Sequence, residues 1–151
     1  MGYRDYSTGK GHIVDSKGHG DFTAISTAIA AASSGETVFI CPGIYTETLT
    51  LKPGVNLAAF GSDSSQNSIA NVEIVGSMSY TQGGTVSIFG IQHQTNGSFI
   101  LNLSGATASV VNFENCFFNC TNSTGISYTS SDATSEINIR NCRGDVTANG
   151  F

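Results

Sequence analysis

Charge is scarce in this sequence: 6 Lys and Arg stand against 11 Asp and Glu, 11% of residues in all, for a formal net charge of -5. The cations occur singly, so no basic patch exists to hold a phosphate backbone, and nucleic acid is not expected as a partner. No apolar run reaches the roughly 18 residues of a membrane span, and Met1-Gly2-Tyr3-Arg4-Asp5 lacks the apolar core of a signal peptide. Neither membrane insertion nor secretion is expected. Trp is absent, and the four cysteines, Cys41, Cys116, Cys120 and Cys142, are too few and too unevenly spaced for a disulfide scaffold. Cys116-x-x-x-Cys120 is followed by no His or second close Cys pair, so the expectation is no metal and no cofactor.

Ser, Thr and Asn together make 48 of the 151 residues, with 18 Gly beside them. This is material for strands and turns, poor in the residues that build exposed helices. A repetitive all-β architecture follows. The length fits one domain with a sizeable core.

The run from Thr37 to Thr50 holds two β-prone segments, Thr37 to Ile40 and Tyr45 to Leu51, joined by Cys41-Pro42-Gly43. Pro42 fixes its own φ and Gly43 can take positive φ, so the chain turns there while staying extended on both sides. Before it, residues 1–20 are polar and Gly-rich and read as a leader with a short strand at His12-Ile13-Val14. Gly9-Lys10-Gly11-His12 lacks the longer frame and the preceding strand of a phosphate loop. Between them Phe22, Ile25, Ile29 and Ala32 recur at helical spacing, which predicts one helix over Phe22 to Ser34. Asp21 or Thr23 would supply its N-cap oxygen, and Gly35 lies where a C-terminal glycine belongs.

Beyond Thr50, β-prone runs follow one another at Val55–Phe60, Val72–Val75, Thr85–Phe89, Phe99–Leu103, Val110–Phe113 and Ile137–Ile139, with turn residues between. Val111-Asn112-Phe113-Glu114-Asn115-Cys116 and Ile137-Asn138-Ile139-Arg140-Asn141-Cys142 share one pattern. Ile88 stands in the same frame one step before Phe113. A period near 25 in Asn-rich β sequence is the signature of stacked coils. In a parallel β-helix like residues stack about 4.8 Å apart, which would place Asn115 beneath Asn141 at a corner and Cys116 beneath Cys142 facing the core. That thiol pair could be bridged by a disulfide or remain an apolar stack; the unbridged stack is favoured.

Gly20-Asp21-Phe22-Thr23-Ala24-Ile25, Ala28-Ile29, Ala31-Ala32, Gly35-Glu36-Thr37-Val38-Phe39-Ile40, Pro42-Gly43-Ile44-Tyr45, Glu47, Leu49 and Val55-Asn56-Leu57 resemble the opening of pectin methylesterases and the wider pectin-lyase-like superfamily. The resemblance covers residues 18–75 and implies a right-handed parallel β-helix, a solenoid capped by one short N-terminal helix, here spanning 21–151 with three to five coils. The esterases' acid motif would fall on Asn122-Ser123-Thr124-Gly125-Ile126-Ser127-Tyr128, which has a Tyr but lacks the Gln and the Asp. Their nucleophilic Asp would fall near Asn149. Ester hydrolysis by that route needs two carboxylates, and Asp132 with Asp145 is the only pair that could be argued in as displaced catalytic acids.

The same cap-plus-coil sequence resembles segments of bacteriophage and other viral tail fibres and tailspikes. That resemblance implies a structural part of a virion, a homotrimer joined to other tail proteins, whose rigid body meets a host cell-surface glycan. The chain stops at Phe151 in mid-pattern, as part of a longer fibre chain would. Tyr80, Gln92, Gln94 and Tyr128 are the candidate glycan-binding residues. A carbohydrate-active enzyme with relocated acids, and a purely architectural repeat, are the alternatives. The four Asn-x-Ser/Thr sites and Arg143-Gly144-Asp145 are read as chance matches, the latter as a turn after a strand.

Overall fold

The computed structural model describes residues 11–60, 72–95, 100–104, 108–121, 125–129 and 134–147, of which 104, 121, 128–129 and 145–147 by backbone alone. Three parallel sheets wind into a β-helix of about four turns. Sheet A holds β1 (Gly11–Val14), β2 (Thr37–Ile40), β5 (Asn56–Ala59), β8 (Gly84–Phe89), β11 (Ser109–Glu114) and β14 (Glu136–Arg140). Sheet B holds β3 (Gly43–Thr46), β6 (Val72–Val75), β9 (Gln92–Thr95), β12 (Phe117–Thr121) and β15 (Arg143–Thr147). Sheet C holds β4 (Leu49–Thr50), β7 (Met78–Tyr80), β10 (Leu101–Ser104) and β13 (Ile126–Thr129). From β2 on, successive strands go to A, then B, then C, and α1 stands between β1 and β2.

The sequence repeat is the register itself. Ile88 pairs with Phe113, and Phe113 with Ile139. Earlier turns are uneven, since Val38 pairs with Leu57 and Leu57 with Ile88. Strand alternation sends every second side chain inward. The row Val38, Leu57, Ile88, Phe113 is buried throughout, and so is Val86 beside Val111. On the outer side of sheet A, Asn56 accepts from the Ser87 N–H at 2.9 Å, Asn112 donates to Ser87 Oγ at 3.3 Å, and Asn138 donates to Asn112 Oδ1 at 3.0 Å. A hydrogen-bonded polar spine therefore crosses four strands on that face.

The corner from sheet A to sheet B is two residues long at Gly90-Ile91, Asn115-Cys116 and Asn141-Cys142. The first of each pair is left-handed, with φ of 68°, 53° and 51°. Gly takes that region freely, and Asn tolerates it better than other side-chain-bearing residues. The second residue points inward, so Ile91, Cys116 and Cys142 line one core edge. The earlier Cys41-Pro42 corner precedes Gly43 as expected, but Gly43 does not use positive φ. A β-carbon there would stand 3.3 Å from Ser16 Oγ and 3.4 Å from the Tyr45 ring, so closeness is what favours glycine.

Helix α1 (Ile25–Ala31) is shorter than the periodicity predicts, and its caps differ from the local ones expected. Its N-cap is Ala24, which makes no side-chain cap bond. Asp21 instead accepts from the Ile13 N–H at 2.9 Å, tying down β1. The first helical donors, the N–H groups of Ile25 and Ser26, go to the two carboxylate oxygens of Glu47 at 2.9 Å each. At the other end Lys52 Nζ donates to Ala30 O and Ala32 O. Gly35, at φ 93°, lies in the following turn rather than at the cap. Ile25, Ala28 and Ile29 bury their apolar face on the first coil.

Strand β1 pairs with β2 in register and Val14 is wholly buried. The leader drawn from composition therefore contributes its second half, residues 11–20, to the fold. The expected Tyr45–Leu51 run is broken by the Glu47-Thr48 corner into β3 and β4.

Candidate functional site

The outer face of sheet B carries two rows of side chains. One runs Ile44, Glu73, Gln92, Phe117 and Arg143; the other runs Thr46, Val75, Gln94, Asn119 and the Asp145 position. Alternation places these outward because the residues between them, Tyr45, Ile74 and His93, are buried. Ile44 is 67% exposed, which leaves an apolar surface at the first coil. Gln92, Gln94, Phe117 and Asn119 are half-buried. Adjacent strands stand about 4.8 Å apart, so the three amides Gln92, Gln94 and Asn119 form a cluster at the middle of the face, beside Phe117 and Val75, with Glu73 and Arg143 in the Gln92 row.

Of the residues the sequence singles out for ligand binding, Gln92 and Gln94 share this face. Tyr80 does not join them. It lies on sheet C, is fully buried, and donates its hydroxyl to Gly83 O at 3.0 Å, so it is a core residue with no face to offer a ligand. Sequence spacing hides this because β7 is only three residues long and its alternation cannot be phased. Tyr128 occupies the same sheet C row, in line with Leu103 and Tyr80. Its side chain, like that of Asp145, lies outside the described residues, and Asp132 lies outside them altogether.

Glu73 is the one carboxylate on this face whose side chain is described. The Asp145 position lies three strands further along and in the neighbouring row. Three strand spacings are roughly 14 Å, beyond the roughly 5–9.5 Å that separates paired carboxylates in glycoside hydrolysis. Among the described residues, no three His, Cys, Asp or Glu side chains converge on a point that could hold a metal ion.

Beneath the face lies a residue that the sequence pattern does not single out. His93 is fully buried, stacked on Phe118 with ring centroids 5.5 Å apart and edge-on to Phe113 at 5.7 Å. Its Nε2 finds no partner among the described residues. Burial pushes its pKa down to about 3, so the ring is neutral at physiological pH. The only sequence signal is its place between Gln92 and Gln94, where alternation forces either the His or the two Gln inward.

The corner cysteines are unbridged. The Cys116 N–H approaches Cys142 Sγ at 3.4 Å, and the Cys116 thiol lies against Glu114 O and Ile88 O. Hydrogen bonding to Cys142 and burial push the Cys116 thiol up, while the same bond holds Cys142 below the usual thiol range, at about 6. Asn115 and Asn141 stack as expected, with the Asn115 N–H donating to Arg140 O at 3.1 Å.

No family model, no curated protein and no solved structure matches this chain.

Proposed function

We propose that this chain is the rigid β-helix body of a virion appendage, of the tail-fibre or tailspike kind, and that the outer face of sheet B meets a host-surface glycan. The observation that carries the reading is the pair of outward rows in which Gln92, Gln94 and Asn119 stand in register, beside the apolar Ile44 and Phe117. Side-chain amides offer both donors and acceptors to sugar hydroxyls, and an aromatic face suits the C–H side of a pyranose. A sheet holds these groups in place, so little ordering entropy is lost on binding. The low charge and the cap-plus-coil sequence resemblance to fibre proteins support the virion setting.

The test is adsorption of the purified chain to host envelope polysaccharide. Gln92→Ala with Gln94→Ala removes two sets of hydrogen bonds and is expected to weaken binding roughly tenfold, while Thr50→Ala on exposed sheet C leaves it unchanged. Equal adsorption by all three proteins would remove the sheet B reading. Release of reducing ends or methanol, lost in Asp145→Asn, would instead favour a carbohydrate-active enzyme. The absence of binding to any envelope fraction would favour a purely architectural module.

A further inference from the structure

Two of the four cysteines are set opposite each other by the solenoid itself. Glu114 pairs with Arg140 before the corner and Phe117 with Arg143 after it, so Cys116 and Cys142 fall in register between two fixed points. Backbone bonds clamp the corner on both sides: the Asn115 N–H donates to Arg140 O at 3.1 Å, and the Arg143 N–H to Cys116 O at 3.0 Å. Neighbouring coils stand about 4.8 Å apart, inside the roughly 4.4–6.8 Å of Cα separation that a disulfide spans. Both side chains turn toward the core, and Cys142 Sγ lies 3.4 Å from the Cys116 nitrogen. One turn earlier Ile91 fills the same place, so packing alone does not ask for sulfur there.

The other two cysteines are out of reach of this pair. Cys120 stands in the row of Thr95 and Val146, toward the far end of β12. Cys41 follows β2, three strands along sheet A from β11.

We propose that Cys116 and Cys142 are a redox pair, which hydrogen peroxide converts to a disulfide stapling the β11–β12 coil to the β14–β15 coil. The Cys116 N–H, aimed at Cys142 Sγ, steadies that sulfur as the thiolate. The thiolate attacks one oxygen of the peroxide, the O–O bond breaks, the leaving hydroxide takes up a proton as water, and Cys142 becomes a sulfenic acid. The Cys116 sulfur then gives up its proton and attacks the Cys142 sulfur; the S–O bond breaks, and the hydroxide leaves with that proton as a second water. The two thiols have lost two electrons, and the peroxide has gained them. The bridge joins residues 26 apart in the chain, which cuts the freedom of the unfolded state. The pair faces the core and not the outer side of sheet B, so this inference stands apart from the glycan reading.

The test is to reduce the folded chain, expose it to hydrogen peroxide and map its peptides without reduction. Cys116 is expected joined to Cys142, with Cys41 and Cys120 still open to alkylation after unfolding. The melting temperature, read by circular dichroism, is expected to rise by roughly 5–10 °C and to return when dithiothreitol reduces the bridge. Cys116→Ser leaves Cys142 without a resolving thiol, so dimedone is expected to trap its sulfenic acid. Cys41→Ser combined with Cys120→Ser is expected to bridge as the native chain does. Four free thiols after peroxide, a bridge to another cysteine or to a second chain, or a sulfenic acid that accumulates at Cys142 in the native chain would each overturn the proposal. So would a bridged chain that melts no higher than the reduced one.

Discussion

Glu47 and Lys52, both on the first coil, hold opposite ends of α1. The carboxylate of Glu47 takes the N–H groups of Ile25 and Ser26, and the ammonium of Lys52 takes the carbonyls of Ala30 and Ala32. Each charge sits at the helix end that its sign favours. A helix of 7 residues has too few internal bonds to persist alone, so its stability is borrowed from this clamp and from its buried face. Glu47→Gln and Lys52→Met are each expected to cost about 1 kcal/mol, the usual worth of a cap. Urea denaturation measures it, and losses below about 0.3 kcal/mol would show that apolar packing alone holds the cap.

The stacked Asn115 and Asn141 occupy left-handed corners that Gly90 fills one turn earlier. Replacement by Ala at either position forces a β-carbon into that region without the local polar compensation Asn has, at about 1 kcal/mol. Replacement by Gly is expected to be within a few tenths of a kcal/mol of the native protein. Should Ala and Gly variants melt alike, corner dihedrals would not be what selects Asn.

These corners also show what the sequence makes legible. Because Asn115-Cys116 and Asn141-Cys142 recur with the strands before them, the period, the stacking and the inward side of the thiols follow from the repeat, while that the thiols are free does not. The register of β2 with β5 and of β5 with β8 does not, since those steps differ in length from the later ones. Five strands, β7, β9, β12, β13 and β15, lie outside the β-prone runs of the sequence: Gln92-His93-Gln94-Thr95 has no apolar alternation to see, and Met78-Ser79-Tyr80 and Ile126-Ser127-Tyr128-Thr129 alternate over too few residues to stand out. The same blindness puts Tyr80 on the surface. Local capping rules misplace the helix ends because the true partners, Glu47 and Lys52, come from beyond the strands that follow the helix.

His93 makes stability depend on acid. Its folded-state pKa, near 3, lies below the roughly 6.5 of an unfolded histidine. The folded state therefore stays neutral while the unfolded state gains a proton, so stability is complete above pH 6.5 and falls as pH drops from there toward 3. The slope reaches at most about 1.4 kcal/mol per pH unit. His93→Leu is expected to flatten that slope and, by removing an unpartnered buried nitrogen, to leave stability at pH 7.5 little changed despite the lost ring stacking. Urea midpoints at pH 7.5 and pH 5 check this; equal slopes in the two proteins would assign the acid sensitivity elsewhere.

The two corner thiols should react in a fixed order. Cys142 is the more open of the pair, and the Cys116 thiol and N–H both stabilise its anion. Cys116 is buried with its thiol against Ile88 O and Glu114 O, and the neighbouring Cys142 thiol and burial push it up and keep it protonated. Alkylation at pH 7 is therefore expected at Cys142 first, with Cys116 modified only on unfolding, as peptide mass mapping would show. Cys116→Ala takes away the thiol donor and should raise the pH midpoint of Cys142 alkylation, slowing the reaction at pH 7 by roughly tenfold. An unchanged midpoint would mean that exposure, and not the neighbouring thiol, governs Cys142, and that the stacked pair is simply two small apolar side chains filling one edge of the core.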